Sequence, residues 1–486
     1  MKSLIARLKT LAVDQPDTEA VVSNGYSINY AQLIKRIENV ASEIQRIGFD
    51  RLAVYAGNDL DWLLIDLAAA SLAIPVVPIP LFFSHEQREH LLVNSGVDGV
   101  YCGQGTIHLS GSALRSDLLA GSYRRLSPMT HSDPVSFSKV TYTSGSTGTP
   151  KGACLSGDTL LTIVSSLADA LEPSQLGRHL CLLPFATLLE NVAGIYLPLW
   201  MGRSLVIEDN ERIGLLSNHA FDATLFCTAV ARHAIESVIL LPQMLKVLIE
   251  HGDIASLTSL KFIAVGGGKV PPELLEQALL MGLPVYEGYG LTECGSCVAL
   301  NTPGALRIGS VGKPLCHAQV RIADTGEIHV TGAAMDGYLD ANSATCEIAT
   351  GDAGYIDGDG FLYITGRIKN TIISSFGRNI SPEWVESVFL AEPEIQQIAV
   401  FGEADPYLSA VIYAPKEVSD DELKQVILRV NSKLPDYARA EVHHRTHRAF
   451  TALDGTLTAN GKLYRGRIAE IFAQEINNAQ QEVASC

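Results

Sequence analysis

Hydrophobic and polar residues alternate along the chain in blocks that predict helices and short buried strands in turn. The apolar run RLAVYAG (51–57) predicts a strand, and DLDWLLIDLAAASLA (59–73) predicts a helix. The strand IPVVPIP (74–80) follows, and then the helix EQREHLLVNSG (86–96), which stops at a glycine. Such alternation is typical of parallel sheets covered by helices.

The same pattern continues through the middle of the chain. HLCLLPF (179–185), SLVIE (204–208), LKFIAVGGG (260–268) and LPVYEGYG (283–290) are apolar runs of strand length. The helix PPELLEQALLMG (271–282) separates the last two. We therefore expect a second group of helix-covered strands.

The pattern changes after about Thr302, where short strands with glycine turns predict a small β-rich subdomain. Its predicted strands are GSVGKPL (309–315), AQVRIAD (318–324), TGEIHVTG (325–332) and GYLD (337–340).

A hairpin is predicted at DAGYIDGDGFLYITGR (352–367), with its turn at residues 357–360. SPEWVESVFLAEP (381–393) then begins a new pattern of helix, strand, strand and helix that ends near Lys462. We place the domain boundary near Lys369. The predicted domains are 1–368 and 369–486.

Length and composition support this organisation. The chain has 486 residues, of which 47% are hydrophobic, so it can bury a sizeable core. We expect an α/β protein with a large N-terminal domain of helix-covered mixed sheets and a small β-rich subdomain. A small, mobile α+β C-terminal domain follows.

Charge and cysteine content narrow the partners and the compartment. A net charge of −17 argues against nucleic acid as a partner. No signal peptide is evident, and Asp66 and three prolines within residues 62–83 argue against a membrane span there. Nine cysteines without paired spacing fit a reducing cytoplasm.

A loop rich in glycine and hydroxyl side chains, VTYTSGSTGTPKGACLSG (140–157), has the composition of a phosphate site. Glycines let successive N–H groups point at one anion, and Lys151 adds a positive charge. Gly145, Gly148 and Lys151 do not have the Walker spacing, and no G-x-G-x-x-G follows the first strands. A P-loop enzyme and a dinucleotide fold are thus disfavoured, whereas a plain polar loop stays open as the alternative.

The loop sequence is more specific than its composition. YTSGSTGTPKG (142–152) closely resembles the phosphate loop of the adenylate-forming enzymes, which include acyl-CoA synthetases, aryl-CoA ligases and luciferases. YEGYGLTE (286–293), TGDAGYIDGDGFLYITGRIKN (350–370) and TANGKLYR (458–465) resemble three further motifs of that family, in order. The resemblance covers nearly the whole chain.

The resemblance implies a reaction in two steps. A carboxylate attacks the α-phosphate of ATP and releases pyrophosphate, which leaves an acyl-AMP. A thiol then attacks the acyl carbon and releases AMP. The implied cofactors are ATP, Mg²⁺ and CoA, or the phosphopantetheine of a carrier protein, and catalysis consists mainly of positioning and electrostatics.

The resemblance also implies which residues bind ATP. The loop holds the β- and γ-phosphates, Tyr289 lies against the adenine, Asp352 accepts from the ribose hydroxyls, and Arg367 reaches the same ribose or a phosphate. The implied ATP site comprises Thr143, Ser144, Gly145, Ser146, Thr147, Gly148, Lys151, Gly288, Tyr289, Asp352 and Arg367.

Five residues carry the remaining implied roles. Thr292 donates to the α-phosphate and Glu293 ligates Mg²⁺. Lys462 bridges the substrate carboxylate and the α-phosphate, although alone it would pass for a solvated turn residue. Because Lys462 belongs to the small domain, that domain has to swing over the site about a hinge at Lys369, and Gly377 then leaves room for the thiol.

The acyl pocket is expected in the segment LLPFATLLENVAGIYLPLW (182–200) and around VGGG (265–268). Phe185 stands where amino-acid-activating members carry an aspartate, and Thr187 replaces a histidine that many acyl-CoA synthetases have. Apolar walls favour an acyl or aryl chain, and we expect a fatty acid. The candidate wall residues are Val192, Ala193, Ile195, Leu240, Val265, Gly266 and Gly267.

CoA is the expected thiol, with a separate acyl carrier protein as the alternative. The basic segment EVHHRTHR (441–448) could meet phosphates of CoA, but we expect a solvated loop. Three other functions stay open: an aryl-acid CoA ligase, a degenerate adenylate-binding regulatory protein, and a luciferase-like oxygenase.

Overall fold

The computed structural model describes residues 1–106, 112–126, 137–143, 150–216, 220–339, 347–375, 378–403, 405, 407–458 and 461–476. In chain order, the strands are β1 Glu19–Ser23, β2 Tyr26–Asn29, β3 Leu52–Tyr55, β4 Val76–Pro78, β5 Gly99–Cys102, β6 Ser112–Arg115, β7 Ser122–Arg125, β8 Lys139–Thr143, β9 Lys151–Leu155, β10 His179–Leu180, β11 Leu205–Ile207, β12 Ser237–Leu240, β13 Phe262–Val265, β14 Val285–Tyr289, β15 Ala299–Leu300, β16 Lys313–Pro314, β17 Ala318–Ile322, β18 Glu327–Gly332, β19 Gly337–Tyr338, β20 Glu347–Ile356, β21 Leu362–Arg367, β22 Ile372–Ile373, β23 Asn379–Ile380, β24 Gln397–Phe401, β25 Leu408–Tyr413 and β26 Ala440–Thr446. The α-helices are α1 Lys2–Asp14, α2 Tyr30–Ile47, α3 Leu60–Leu72, α4 His85–Ser95, α5 Gly157–Leu171, α6 Leu197–Trp200, α7 Ala223–His233, α8 Pro242–His251, α9 Pro272–Leu280, α10 Pro382–Leu390, α11 Asp420–Lys433 and α12 Arg465–Ile471.

Local sequence explains where several helices begin and end. Helix α2 starts with a capping box between Asn29 and Gln32 and ends at Gly48 in the left-handed conformation. Helix α4 starts in the same way at Ser84 and ends at Gly96. These caps satisfy backbone groups that a helix leaves unpaired at its ends.

Two large mixed sheets form the body of the N-terminal domain. The order of the first is β16-β15-β14-β13-β12-β10-β11-β1-β2, with a parallel central run from β14 to β1. The order of the second is β19-β9-β8-β4-β3-β5-β7-β6, with parallel pairing among β8, β4, β3 and β5. Hydrophobic side chains from both sheets share one large core cluster. The predicted helix-covered mixed sheets are confirmed.

The β-rich subdomain is a four-stranded antiparallel sheet in the order β17-β18-β20-β21. Two strands that the sequence assigned to it lie elsewhere. Strand β16 pairs with β15 in the first large sheet, and β19 pairs with β9 in the second. The sequence assignment was wrong because local pattern identifies a strand but not its partner.

The C-terminal region has its own hydrophobic cluster, formed mainly by α10, α11 and the sheet β24-β25-β26. The predicted α+β pattern is therefore confirmed. Residues 441–448 were predicted as a solvated loop, but Ala440–Thr446 form strand β26, which pairs parallel to β25. Arg445 of this strand donates to Pro415 O and Val418 O and pairs with Asp420, so its charge is used within the domain.

The apolar stretch around residues 62–83 forms helix α3 and strand β4 within the core. Across the described residues, no helix combines the length and apolar character needed to cross a membrane.

Candidate active site

The hairpin of β20 and β21 places Asp352 directly opposite Arg367. Arg367 Nε lies 2.7 Å from Asp352 Oδ1, and Tyr289 Oη donates to Asp352 Oδ2 at 2.6 Å. Tyr289 comes from β14, in a different sheet. A buried carboxylate is thus held at both oxygens by a cation and a phenol from separate elements.

Burial raises the pKa of Asp352, and Arg367, the hydrogen bond from Tyr289 and the charge of Lys462 oppose this rise. Burial also raises the pKa of the Tyr289 phenol, and the neighbouring Asp352 raises it further. The tyrosine therefore stays protonated and keeps donating to the carboxylate.

Lys462 reaches this group from the C-terminal region. Its pKa is lowered by burial and by Arg367, and the charges of Asp352 and Glu293 oppose that effect. None of the described residues forms an ion pair with Lys462, so its charge acts on Asp352 and Glu293 at longer range. The residue as a whole keeps exposed surface, whereas its ammonium group is crowded by protein atoms. The sequence places it in a turn, where Thr458 N donates to Lys462 O at 2.7 Å.

Glu293 lies in the 3-10 helix Thr292–Cys294, directly after β14 and the turn that follows it. Tyr338 Oη donates to Glu293 Oε1 at 2.7 Å. The Lys151 ammonium lies 5.6 Å from the centroid of the same Tyr338 ring, within cation–π range. Tyr338 therefore links two residues that the sequence assigned to phosphate and metal binding.

Tyr338 was not identified from the sequence. It lies in GYLD, which was interpreted only as a short strand. Pairing of β19 with β9 brings it beside Lys151. The sequence offered one signal, the aromatic Tyr338 in a short segment with a glycine turn. That signal carries little information until the pairing of β19 with β9 is known.

The base of the glycine-rich loop is described, but its tip is not. Thr143 at the end of β8 pairs with Lys151 at the start of β9 in an antiparallel register, so both stand at the base of the loop. The predicted loop residues Ser144, Gly145, Ser146, Thr147 and Gly148, and the predicted thiol-channel residue Gly377, lie outside the described residues.

The remaining predicted residues lie near this group in the chain. Gly288 is in β14, where a Cβ would lie 3.0 Å from Leu300 Cδ1. Thr292 begins the 3-10 helix that carries Glu293. Lys369 lies in the 3-10 helix Ile368–Asn370, directly after β21. Burial and the charge of Arg367 lower the pKa of Lys369.

The predicted acyl-pocket residues divide into two groups. Val192 and Ile195 are fully buried in the core shared by the two sheets, with Ala193 partly buried against it. Leu240 and Val265 lie in a second core cluster.

Gly266 is buried beside β14, and a Cβ there would lie 3.3 Å from Gly288 O; Gly267 is exposed, with φ of +80°. The glycines Gly266 and Gly267 therefore directly follow Val265, a side chain packed in the second core cluster.

Glu190, next to the pocket segment, is completely buried in the π-helix Glu190–Tyr196. It accepts hydrogen bonds from Leu182 N and Leu183 N and lies 3.5 Å from His179 Nε2. Burial raises the pKa of Glu190, and His179 opposes the rise. These contacts fix the π-helix against the end of β10, and π-helical turns are frequent at functional sites.

Comparison with known proteins assigns the family. A family model described as AMP-binding enzyme matches residues 8–339, and one described as AMP-binding enzyme C-terminal domain matches residues 369–484. The chain belongs to the AMP-binding enzyme family, as its motifs indicated, and is an enzyme of the acid–thiol ligase class.

Several relatives match most of the chain. A feruloyl-CoA synthase of an Amycolatopsis species is 28% identical over 94% of this chain and 96% of the relative. A long-chain-fatty-acid–CoA ligase of Mycobacterium bovis is 28% identical over 88% and 87%. The solved structure of an o-succinylbenzoate CoA synthetase from Bacillus subtilis, in complex with its acyl-adenylate, superposes with a TM-score of 0.78 at 24% identity. The matched region makes up 95% of this chain and 97% of the chain in that structure, so the two proteins share a fold.

Proposed function

We propose that the protein joins an apolar carboxylic acid to the thiol of CoA through an acyl-AMP formed from ATP. The observation that carries this proposal is the group in which Arg367 and Tyr289 hold Asp352, together with the charge of Lys462, which acts on Asp352 and Glu293 at longer range. Positive charge from the C-terminal region is thereby added to a site built by the N-terminal domain. Such an arrangement suits a reaction that brings two anions together.

In this proposal Lys462 draws the substrate carboxylate and the α-phosphate together. The carboxylate oxygen forms a bond to phosphorus as the bond to pyrophosphate breaks, and Lys151 stabilises the charge on the leaving group. Asp352 accepts from the ribose hydroxyls, while Arg367 fixes its orientation at 2.7 Å. The residues contribute orientation and charge, which are the main sources of catalysis in such a reaction.

Glu293 is the residue we assign to Mg²⁺, which would neutralise phosphate charge when bound. The described residues contain no group of three or more His, Cys, Asp or Glu that could hold a metal ion. A single carboxylate nevertheless fits Mg²⁺, which usually keeps several waters and shares its remaining positions with substrate phosphates. The hydrogen bond from Tyr338 fixes one oxygen of that carboxylate.

We propose a fatty acid as the substrate, since the candidate wall residues are apolar or glycine. An aryl acid is the second candidate, because a feruloyl-CoA synthase and a long-chain-fatty-acid–CoA ligase match the chain at the same 28% identity. CoA is favoured as the thiol because both of these relatives are named for CoA.

An ATP–pyrophosphate exchange panel of fatty acids of increasing length, aryl acids and amino acids tests the proposal. Strong exchange with fatty acids, followed by thioester formation with CoA, supports the first candidate, and preferential exchange with aryl acids supports the second. The proposed function is wrong if only amino acids support exchange, or if none of the tested acids does.

A further inference from the structure

Lys246 connects the large domain to the C-terminal region through three hydrogen bonds. It lies on α8 of the large domain, and its ammonium donates to Leu390 O, Glu392 O and Ile395 O. The three distances are 3.0, 3.0 and 2.9 Å. A lysine ammonium has three donors, so this contact uses all of them.

These carbonyls suit a cation. Leu390 O is the last carbonyl of helix α10, where carbonyls lack partners within the helix and carry its negative partial charge, whereas Glu392 O and Ile395 O lie in the segment that follows. Burial lowers the pKa of Lys246, while Glu250, Glu394 and Glu392 oppose this effect. An ammonium at this position thus supplies both hydrogen bonds and charge to the helix end.

The opposite end of α10 also touches the large domain, beside the predicted hinge. A Cβ added to Gly366 would lie 2.2 Å from Ser381 Oγ, so Ser381 packs directly on β21. Helix α10 has nine residues, which corresponds to a length of about 13 Å. Of the two contacts that α10 makes with the large domain, the one with Lys246 is therefore farther from the predicted hinge than the one at Ser381. A rotation of the C-terminal region about that hinge displaces the Lys246 contact more.

We propose that Lys246 is a positioning residue that holds the C-terminal region in the orientation in which the charge of Lys462 acts on Asp352. This inference rests on the proposed two-step function, since only the adenylation step needs that orientation. A swing that removes Lys462 from the site has to break the three Lys246 hydrogen bonds. The contact therefore favours adenylation and opposes the orientation used for thioester formation.

The first test measures the two half-reactions separately in Lys246→Ala. We expect ATP–pyrophosphate exchange to fall about tenfold in kcat, about 1.4 kcal/mol, with the KM for ATP changing less than about twofold. Thioester formation from supplied acyl-AMP and CoA should keep its rate or increase. Lys246→Arg retains the charge and should recover most of the exchange.

Lys261→Ala is the matched control, because Lys261 pairs with Glu236 and contacts Gln175 O within the large domain. It should leave both half-reactions within about twofold of wild type. An equal loss of both half-reactions in Lys246→Ala, or no loss in either, would overturn the inference.

The second test requires no substrate. Trypsin cleavage after Arg367 and Lys369, followed by mass spectrometry, reports opening at the hinge. We expect faster cleavage there in Lys246→Ala than in wild type or Lys261→Ala, and equal rates in all three would contradict the Lys246 assignment. If none of the tested acids supports ATP–pyrophosphate exchange by the wild-type protein, the proposed function fails. The cleavage comparison would still decide the role of Lys246.

Discussion

Two lysine–aspartate groups in this protein use similar chemistry in different surroundings. In the core of the large domain, Lys139 Nζ lies 2.8 Å from Asp66 Oδ1, 2.6 Å from Asn191 Oδ1 and 2.7 Å from Tyr196 Oη. Tyr196 Oη in turn donates to Asp66 at 2.5 Å. Every donor of the ammonium has a partner, and the whole group is buried.

At the candidate active site, Asp352 likewise accepts from a tyrosine and pairs with a cation. Lys462, however, comes from the other domain, and none of the described residues forms an ion pair with it; its charge acts on Asp352 and Glu293 at longer range. The core group satisfies its charges internally and leaves none for a ligand. The site group retains positive charge that a bound anion can use.

Lys462→Ala should give the largest effect and separate the two groups most clearly. We expect ATP–pyrophosphate exchange to fall by about 10³-fold, because an electrostatic contact to the reacting groups is lost. Thioester formation from supplied acyl-AMP should stay within about threefold, and the thermal midpoint should not change, since the Lys462 side chain forms no hydrogen bond or ion pair with the described residues. Lys424→Ala, an exposed lysine on α11, is the control. A large drop in the thermal midpoint would show that Lys462, like Lys139, stabilises the fold.

Asp66→Asn should have the opposite profile. Removing the carboxylate leaves the buried Lys139 ammonium without its counter-ion, which we expect to cost about 3 kcal/mol of stability. Thermal and denaturant unfolding measure the loss. The double variant Asp66→Leu with Lys139→Met removes both charges and should be less destabilised than Asp66→Asn. If the double variant loses more stability, the ion pair itself stabilises the core.

Tyr338→Phe tests the link between Glu293 and Lys151. It removes one hydrogen bond to a charged group and keeps the aromatic ring, so we expect about a tenfold loss of exchange at low Mg²⁺. Titration of exchange against Mg²⁺ should show that high Mg²⁺ recovers part of the loss. Tyr355→Phe, at a half-exposed tyrosine that stacks on Tyr363, should have no effect. A loss that is independent of Mg²⁺ would separate Tyr338 from metal binding.

The pH dependence of adenylation should give the smallest effect. The pKa of Lys462 is lowered by burial and Arg367, so its ammonium loses its proton at a lower pH than a free lysine does. Exchange should therefore decline as pH rises through that lowered pKa. In Lys462→Arg, whatever activity remains should persist to higher pH, because a guanidinium stays protonated. An identical alkaline decline in both proteins would assign the titration to another group.

Much of the fold could be predicted from the sequence. Helix α3 was predicted at 59–73 and is observed at Leu60–Leu72, because its apolar run and its Asp59 cap are local signals. The hairpin that carries Asp352 and Arg367 was also predicted, and its turn at Asp357–Gly360 closes with a hydrogen bond from Gly360 N to Asp357 O. The partners of β16, β19 and β26 could not be predicted, since pairing depends on residues far away in the chain.

By itself, the sequence determined the family and the candidate residues, because short motifs preserve the spacing that the chemistry needs. It also showed an acid, Asp66, within an apolar helix, which was enough to argue against a membrane span.

Only the tertiary structure decided that Lys139, 73 positions later, neutralises this acid, that Tyr338 joins Glu293 to Lys151, and that Lys246 holds the end of α10. Each of these contacts joins segments that are distant in the chain, and their energies depend on distances and burial that exist only in the folded protein.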